Sequence, residues 1–326
     1  MPTYLFTRLV TAAFTASAIA LASGALAQSY PSKPIRLLIP YGPGGVGDIT
    51  ARFVAQKMSE NMKSPIVVEN RPGAGLILAT DPCAKAAGDG HTICLTGVGS
   101  ALNATLFKSL PFDIVEDFTH LSTIAFIDIA MLASSDSKFN SVKDVLAYAK
   151  ANPGKLNVAT INIGSGQHLS AELFKSMAGV DVQIVPFKGT PAILAALRSR
   201  DVDIAFEYVA PLISQIRGKL LKPIAIASSK RLSEFPDTPT LHESGITGYE
   251  ANAWNGFSIT AKTPRAIVER LNKEIVAAVN SPDVQQRMRQ IGAEARASTP
   301  DEMRDLMVRD IAKWKAVIER AKIPLQ

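Results

Sequence analysis

"I-R-L-L-I-P-Y-G-P-G-G-V-G-D", residues 35–48, reads as an apolar strand and a glycine-rich turn, and "I-T-A-R-F-V-A-Q-K-M" (49–58) continues it as a helix. A strand that runs through such a turn into a helix is the first half of a β-α-β unit. Glycines at 42, 44, 45 and 47 permit positive φ and close backbone approach. Their peptide N–H groups, with the positive end of the following helix, favour an anion. The stretch is not a nucleotide fingerprint. It lacks the Lys-Ser/Thr of a P-loop, and its glycines are out of register with G-x-G-x-x-G. Tight-turn glycines without a ligand remain the alternative for this loop taken alone.

A second stretch, "V-A-T-I-N-I-G-S-G-Q-H-L-S-A-E-L-F" (158–174), repeats the arrangement: strand, Gly164-Ser165-Gly166, then a helix with Leu169, Leu173 and Met177 on one face. Two such loops in separate halves of a chain suit the jaws of a clamp. Ser165 does not read as a nucleophile, because Ile163 and Gln167 stand where G-x-S-x-G needs glycine. Ser100 in "T-G-V-G-S-A-L-N" (96–103) fails the same test. His168, at the helix start, reads as a cap or ligand contact rather than a general base.

Strands are expected at 35–39, 66–68, 92–96, 124–132, 156–159, 183–186, 202–206, 223–227 and 256–260, most of them short, apolar and β-branched. Helices between them open at Ser141 with Asp144, at Thr190-Pro191, at Thr263-Pro264 and at Thr299-Pro300. Their apolar stripes, Trp314 included, read as core. The alternation predicts an α/β protein of two domains, each a mostly parallel sheet flanked by helices. The chain is expected to cross between them near 120–127 and again within 230–256, where "F-P-D-T-P-T" is turn-rich.

Composition bounds function. The chain has 326 residues, 47% hydrophobic and 20% charged, which suits one or two globular domains. Its formal charge of +6 is scattered and its aromatic content is 6%, so no nucleic acid is expected as a partner. Residues 1–27 carry Arg8, an apolar middle and Ala25-Leu26-Ala27, the pattern of a signal peptide cleaved after Ala27 and leading to the periplasm; an N-terminal anchor is the alternative. Cys83 and Cys94 suit either a disulfide or two buried thiols. Four dispersed histidines give no metal-ligand spacing, and no metal or cofactor is expected.

Seven motifs in order carry a resemblance: "P-Y-G-P-G-G-V-G-D" (40–48), "V-V-E-N-R-P-G-A-G" (67–75), "A-K-A-A-G-D-G-H-T" (84–92), "H-L-S-A-E-L-F" (168–174), "V-P-F-K-G" (185–189), "P-D-T-P-T-L-H-E-S-G" (236–245) and "W-N-G-F" (254–257). On these the chain resembles, essentially end to end, the tripartite tricarboxylate transporter receptor (TctC/Bug) family of periplasmic solute-binding proteins. The resemblance implies a flytrap with a first domain of 28–122 plus 255–326 and a second of 123–254. It implies capture of a small organic acid anion, such as a di- or tricarboxylate, an aromatic acid or an acidic amino acid, and delivery to the membrane components of a tripartite transporter. Carried over, Tyr41, Pro43, Gly44, Gly45 and Asp48 mark the loop that holds a ligand carboxylate, with Asp48 capping the helix or orienting a water rather than meeting the anion, and with Ser100 and Asn103 on the adjoining loop. Thr160, Gly164, Ser165, Gly166 and His168 face them.

The chain departs from the family pattern at several positions. Leu76, Ile77 and Leu78 follow Gly75 where glycines are usual, and Gly88 and His91 replace a proline and a tyrosine. Glu207 stands where an aspartate is usual, and either reaches the cleft, favouring an amino or hydroxyl group, or faces solvent. Lys188 is a candidate partner for a distal carboxylate. Rival readings are an exported α/β enzyme acting on an anionic substrate and a clamp that presents its closed form to a sensor protein.

Overall fold

The computed structural model describes residues 30–326; the leader reading at 1–27 and its cleavage site lie outside them. The chain lays down β1 (Ile35–Ile39), β2 (Ile66–Asn70), β3 (Thr92–Gly97) and β4 (Phe118–Ile127), then β5 (Ile129–Ser134), β6 (Asn157–Ile161), β7 (Gln183–Phe187), β8 (Ile204–Tyr208) and β9 (Leu221–Ile226). It ends with β10 (Ala253–Thr260) and β11 (Ala293–Ala295). A six-stranded sheet has the order β11-β4-β10-β3-β1-β2, and a five-stranded sheet the order β7-β6-β8-β5-β9.

The helices are α1 (Val46–Met62), α2 (Ile77–Ala84), α3 (Val98–Leu106), α4 (Val142–Ala151), α5 (Gly166–Ala178), α6 (Thr190–Ser199), α7 (Ile213–Arg217), α8 (Arg265–Val279), α9 (Pro282–Gln290) and α10 (Pro300–Ala321). The α1 stripe Ala51, Val54, Met58 and Met62 is buried, as helical spacing requires.

The α/β, two-sheet class holds, with one difference in detail. Parallel ladders join β1 to β2 and β3, and β6 to β7 and β8; all ladders made by β5, β10 and β11 are antiparallel. The sheets are therefore mixed rather than mostly parallel. Helical crossovers return a strand in the same direction, but β5 and β10 enter from the other sheet with no such crossover, and their direction is free. The expected strand at 124–132 is two strands in two sheets, parted at Asp128, whose carbonyl accepts from the Val209 amide at 2.9 Å.

Two features fix the first lobe. Cys83 on α2 is disulfide-bonded to Cys94 on β3. Helix α10, opened by a Thr299–Glu302 capping box, lies along that lobe and receives the Trp254 indole N–H on Asp310 Oδ2 at 2.7 Å. Trp314 is buried, as its stripe predicts. Near its C-terminal end α10 reaches the second lobe, where Arg320 meets Ser176 on α5. No described helix is long and apolar enough to cross a membrane.

Candidate functional site

Each glycine turn follows the carboxyl end of a parallel strand, β1 in the first lobe and β6 in the second, and leads into α1 and α5. The two turns have nearly the same backbone. Gly44 has φ +83° and Gly164 φ +82°, values an L side chain rarely adopts. The helix N-caps that follow are both extended, Gly45 at φ −74° and ψ 161° and Ser165 at φ −69° and ψ 160°.

Asp48, in the first turn of α1, does not extend toward the open side of the first loop. Its carboxylate accepts from the Gly44 amide (2.9 Å), from Arg52 Nε (2.9 Å) and from Asn70 Nδ2 (2.8 Å). Asn70 also donates to the Tyr41 carbonyl at 2.9 Å, so β2 holds both ends of the turn. Burial works to raise the Asp48 carboxyl, but those three hydrogen bonds and the Arg52 charge outweigh it and keep it below the usual carboxylate range. The glycines 42, 44 and 45 remain exposed, and the first-turn amides of α1 have no intrahelical acceptor to claim them.

The second turn is built from neutral groups. Ser165 caps α5, its Oγ accepting from the His168 amide at 3.1 Å and donating to the Ile161 carbonyl at 2.9 Å. His168 Nδ1 accepts from the Gly164 amide at 3.4 Å, and burial pushes this imidazole down, toward its neutral form.

Of the other expected site residues, Asn103 and Glu207 serve contacts within their own lobes, and Lys188 and Pro43 are exposed. Asn103 donates to the Gly75 carbonyl, bracing the "G-A-G" turn. Lys188 is exposed on the connection from β7 to α6. Glu207 is neither exposed nor free: it is 1% accessible and accepts from Gln167, Thr190 and the Tyr208 amide. Pro43 is exposed beside Gly42 and Gly44.

The lobes meet through residues of both turns. Leu106, at the end of α3, lies against the second turn, where a Cβ on Gly164 would be 3.2 Å from Leu106 Cδ1. Tyr41 of the first turn and Tyr208 at the end of β8 are both phenols shielded from solvent. Burial pushes the Tyr41 phenol up to about 12, and burial followed by the Tyr41 and Glu207 charges pushes Tyr208 upward as well. Tyr208 was not among the expected site residues. Its one signal is the position, directly after Glu207 at the carboxyl end of a strand. Asn255 was also missed; it is buried on β10 with its Nδ2 3.4 Å from where a Gly47 Cβ would sit.

Ser100 and Thr160 complete the arrangement. Ser100, 5% accessible, sits in the first turn of α3 after β3, and Thr160, fully buried, is the penultimate residue of β6. Neither Ser100 Oγ nor Thr160 Oγ1 has a hydrogen-bond partner among the described residues. An orphaned hydroxyl of this kind costs about 1–3 kcal/mol; one lies in each lobe, Ser100 at a helix start and Thr160 near a strand end.

A family profile described as "Tripartite tricarboxylate transporter family receptor" matches residues 50–323. The chain belongs to the tripartite tricarboxylate transporter receptor family. Among relatives of this receptor, a UPF0065 protein encoded between tcbD and tcbE in Pseudomonas sp. (strain P51) is 32% identical, with 89% of this chain and 87% of the relative covered. Protein BugT of Bordetella pertussis is 31% identical over 92% of this chain and 93% of its own length. Two solved structures from Rhodopseudomonas palustris are similar throughout. One, with adipate, is 30% identical at a TM-score of 0.75, covering 90% of this receptor and 99% of that chain. The other, MatC with bound malate, is 30% identical at 0.72, covering 89% and 100%.

Proposed function

We propose that this receptor captures a small organic acid anion between its two lobes, with the carboxylate on the peptide N–H groups of the first glycine turn. The orphaned hydroxyls of Ser100 and Thr160 carry the reading, since a ligand that spans the lobes satisfies one on each side. The Asp48 charge is already matched by Arg52, so it does not repel an arriving carboxylate as a free acid would. The two lobes act as the closing bodies, with the changeover at Asp128 as one hinge; residues 123–127 and 253–254, expected in the second body, belong to strands of the six-stranded sheet and move with the first. The related chains solved with adipate and malate support a carboxylate as the cargo. The exported chain works in the periplasm and passes its cargo to the membrane components of a tripartite transporter.

A thermal-shift screen of the chain from Gln28 onward against mono- and dicarboxylates, aromatic acids and acidic amino acids tests this. A bound ligand at about 100 times its Kd stabilises by about 2.7 kcal/mol. The shift is expected to vanish or shrink strongly in Ser100→Ala and in Thr160→Val. A carboxylate that stabilises both variants as fully as the parent places its site elsewhere.

A further inference from the structure

In the second lobe one buried carboxylate has no cation to match it. Glu207 Oε1 accepts from Gln167 Nε2 and from the Tyr208 amide, each at 2.8 Å, and Oε2 from Thr190 Oγ1 at 3.1 Å. All three donors are uncharged. The donors also define where the acid lies: Gln167 is in the first turn of α5 and Thr190 is the first residue of α6. Glu207 thus sits at the amino ends of two helices together, the places where a lobe of this architecture has positive potential for an incoming anion. Thr160, with its orphaned hydroxyl, is on β6, the parallel neighbour of the strand that carries Glu207.

Compare Asp48, which serves a similar bracing role in the first lobe but is neutralised by Arg52. The first lobe is left with capacity for an anion. The second already has an acid of its own beside the corresponding helix ends.

Resting on the carboxylate-receptor reading above, we infer that Glu207 sets ligand choice: the preferred ligand carries one carboxylate, held by the first lobe, and a hydrogen-bond donor, an ammonium or hydroxyl group, at the end that meets the second lobe. Burial already pushes Glu207 up, and a second carboxylate arriving at the α5 and α6 termini pushes it further, since two like charges at low dielectric cannot both persist there without cost. A donor instead finds an excess of acceptors, Thr160 Oγ1 included.

Isothermal titration of the full mature chain with chain-length-matched ω-amino acids, ω-hydroxy acids and dicarboxylic acids tests the inference. The expected ranking places an amino or hydroxy acid at least about tenfold above the matched diacid. In Glu207→Gln the ratio is expected to fall by about tenfold or invert, and in Glu207→Asp, which keeps the charge, to persist. A diacid that wins in the unmodified protein overturns the inference, as does a ratio unmoved in a Glu207→Gln protein that still binds. The ranking in the unmodified protein suffices if Glu207→Gln fails to fold. Absence of binding by all three series overturns the carboxylate reading itself, and this inference with it.

Discussion

In the first lobe the amide of Gly44, at φ +83°, donates to a carboxylate four residues on, at 2.9 Å. In the second the amide of Gly164, at φ +82°, donates to an imidazole four residues on, at 3.4 Å. The same backbone turn is thus closed by two chemistries. Asp48 is locked in turn by Arg52 and Asn70, so the first turn is tied to β2 by charge-assisted bonds. His168 has no such anchor; its Nε2 is 4.0 Å from Glu172 on its own helix. The first turn is the stiffer, pre-organised half of the clamp, and the second is the softer half. If the first turn receives the anion as proposed, the affinity gained from a preformed cradle falls to it. On the proposed reading, selectivity and closure fall to the second, which holds Glu207 and meets Leu106.

Removing the braces should show that asymmetry at its largest. Asp48→Ala leaves the Gly44 amide, Arg52 and Asn70 without their acceptor and is expected to cost about 2–3 kcal/mol, toward the low end for a buried charge because Arg52 is partly solvated. His168→Ala removes one long, neutral bond and is expected to cost about 1 kcal/mol beyond any packing loss. Urea titration of the two variants measures the difference. Equal losses would show that the first turn is not held more firmly than the second.

A finer break uses the glycines themselves. Gly44→Ala and Gly164→Ala each force a side chain into the left-handed region at about 1–2 kcal/mol. A new Cβ at Gly44 meets nothing within 4 Å, whereas at Gly164 it presses on Leu106 of the other lobe. Both variants should therefore lose similar stability without ligand. Only Gly164→Ala should lose affinity through hindered closure, seen in titration calorimetry as a weaker Kd. A matched loss of affinity would mean that Leu106 yields freely.

Much of this was legible in the sequence, and the limits have physical causes. Strand, glycines and helix over 35–58 and over 158–174 announce both turns, because period and glycine placement are local signals. Ser141 does cap α4, its Oγ accepting from the Asp144 amide, as spacing alone indicates. The direction of β5 and β10 was not legible, since apolar runs carry no sign, and the break at Asp128 hides inside one continuous apolar stretch. The three residues of β11, Ala-Glu-Ala, are too short for any period. Partnerships were the hardest to read. Asn70 reaches Asp48 from twenty-two positions away, and Gln167 reaches Glu207 from forty, so no local pattern shows which acid is neutralised and which is not.

The two closures also part company in acid. The His168 pKa is depressed by burial, so the unfolded chain, titrating near 6.5, takes up the proton first. Its contribution is full above about pH 6.5 and is lost as pH falls from there toward the folded value. Asp48 is depressed too, but as an acid: its contribution is full above about pH 3.9 and is lost only as pH falls lower still. Acidification should loosen residues 162–168 before residues 41–48. His120, pushed down to about 4 by burial, loses stability in the same window as His168, and Asp128, pushed up to about 6 by burial, changes in the opposite sense. The readout must therefore be local. Amide exchange in the two turns, corrected for intrinsic rates and compared with His168→Gln, separates them. Simultaneous loosening would contradict the assignment.

The smallest change exchanges one cap for the other. Gly45 and Ser165 have the same backbone angles, and a Cβ at Gly45 would lie 3.8 Å from the Gly42 carbonyl, an ordinary contact. Gly45→Ser should therefore be accepted and, by supplying the missing cap, raise stability by a few tenths of a kcal/mol. If the first turn holds a carboxylate on its peptide amides, the new hydroxyl claims the Asp48 amide and crowds the anion, so ligand affinity should fall while the melting temperature of the free protein rises slightly. Those opposite signs separate a binding role from a folding role for this glycine. A receptor that binds its acid equally well with serine at 45 does not use the amides of the first turn to hold it.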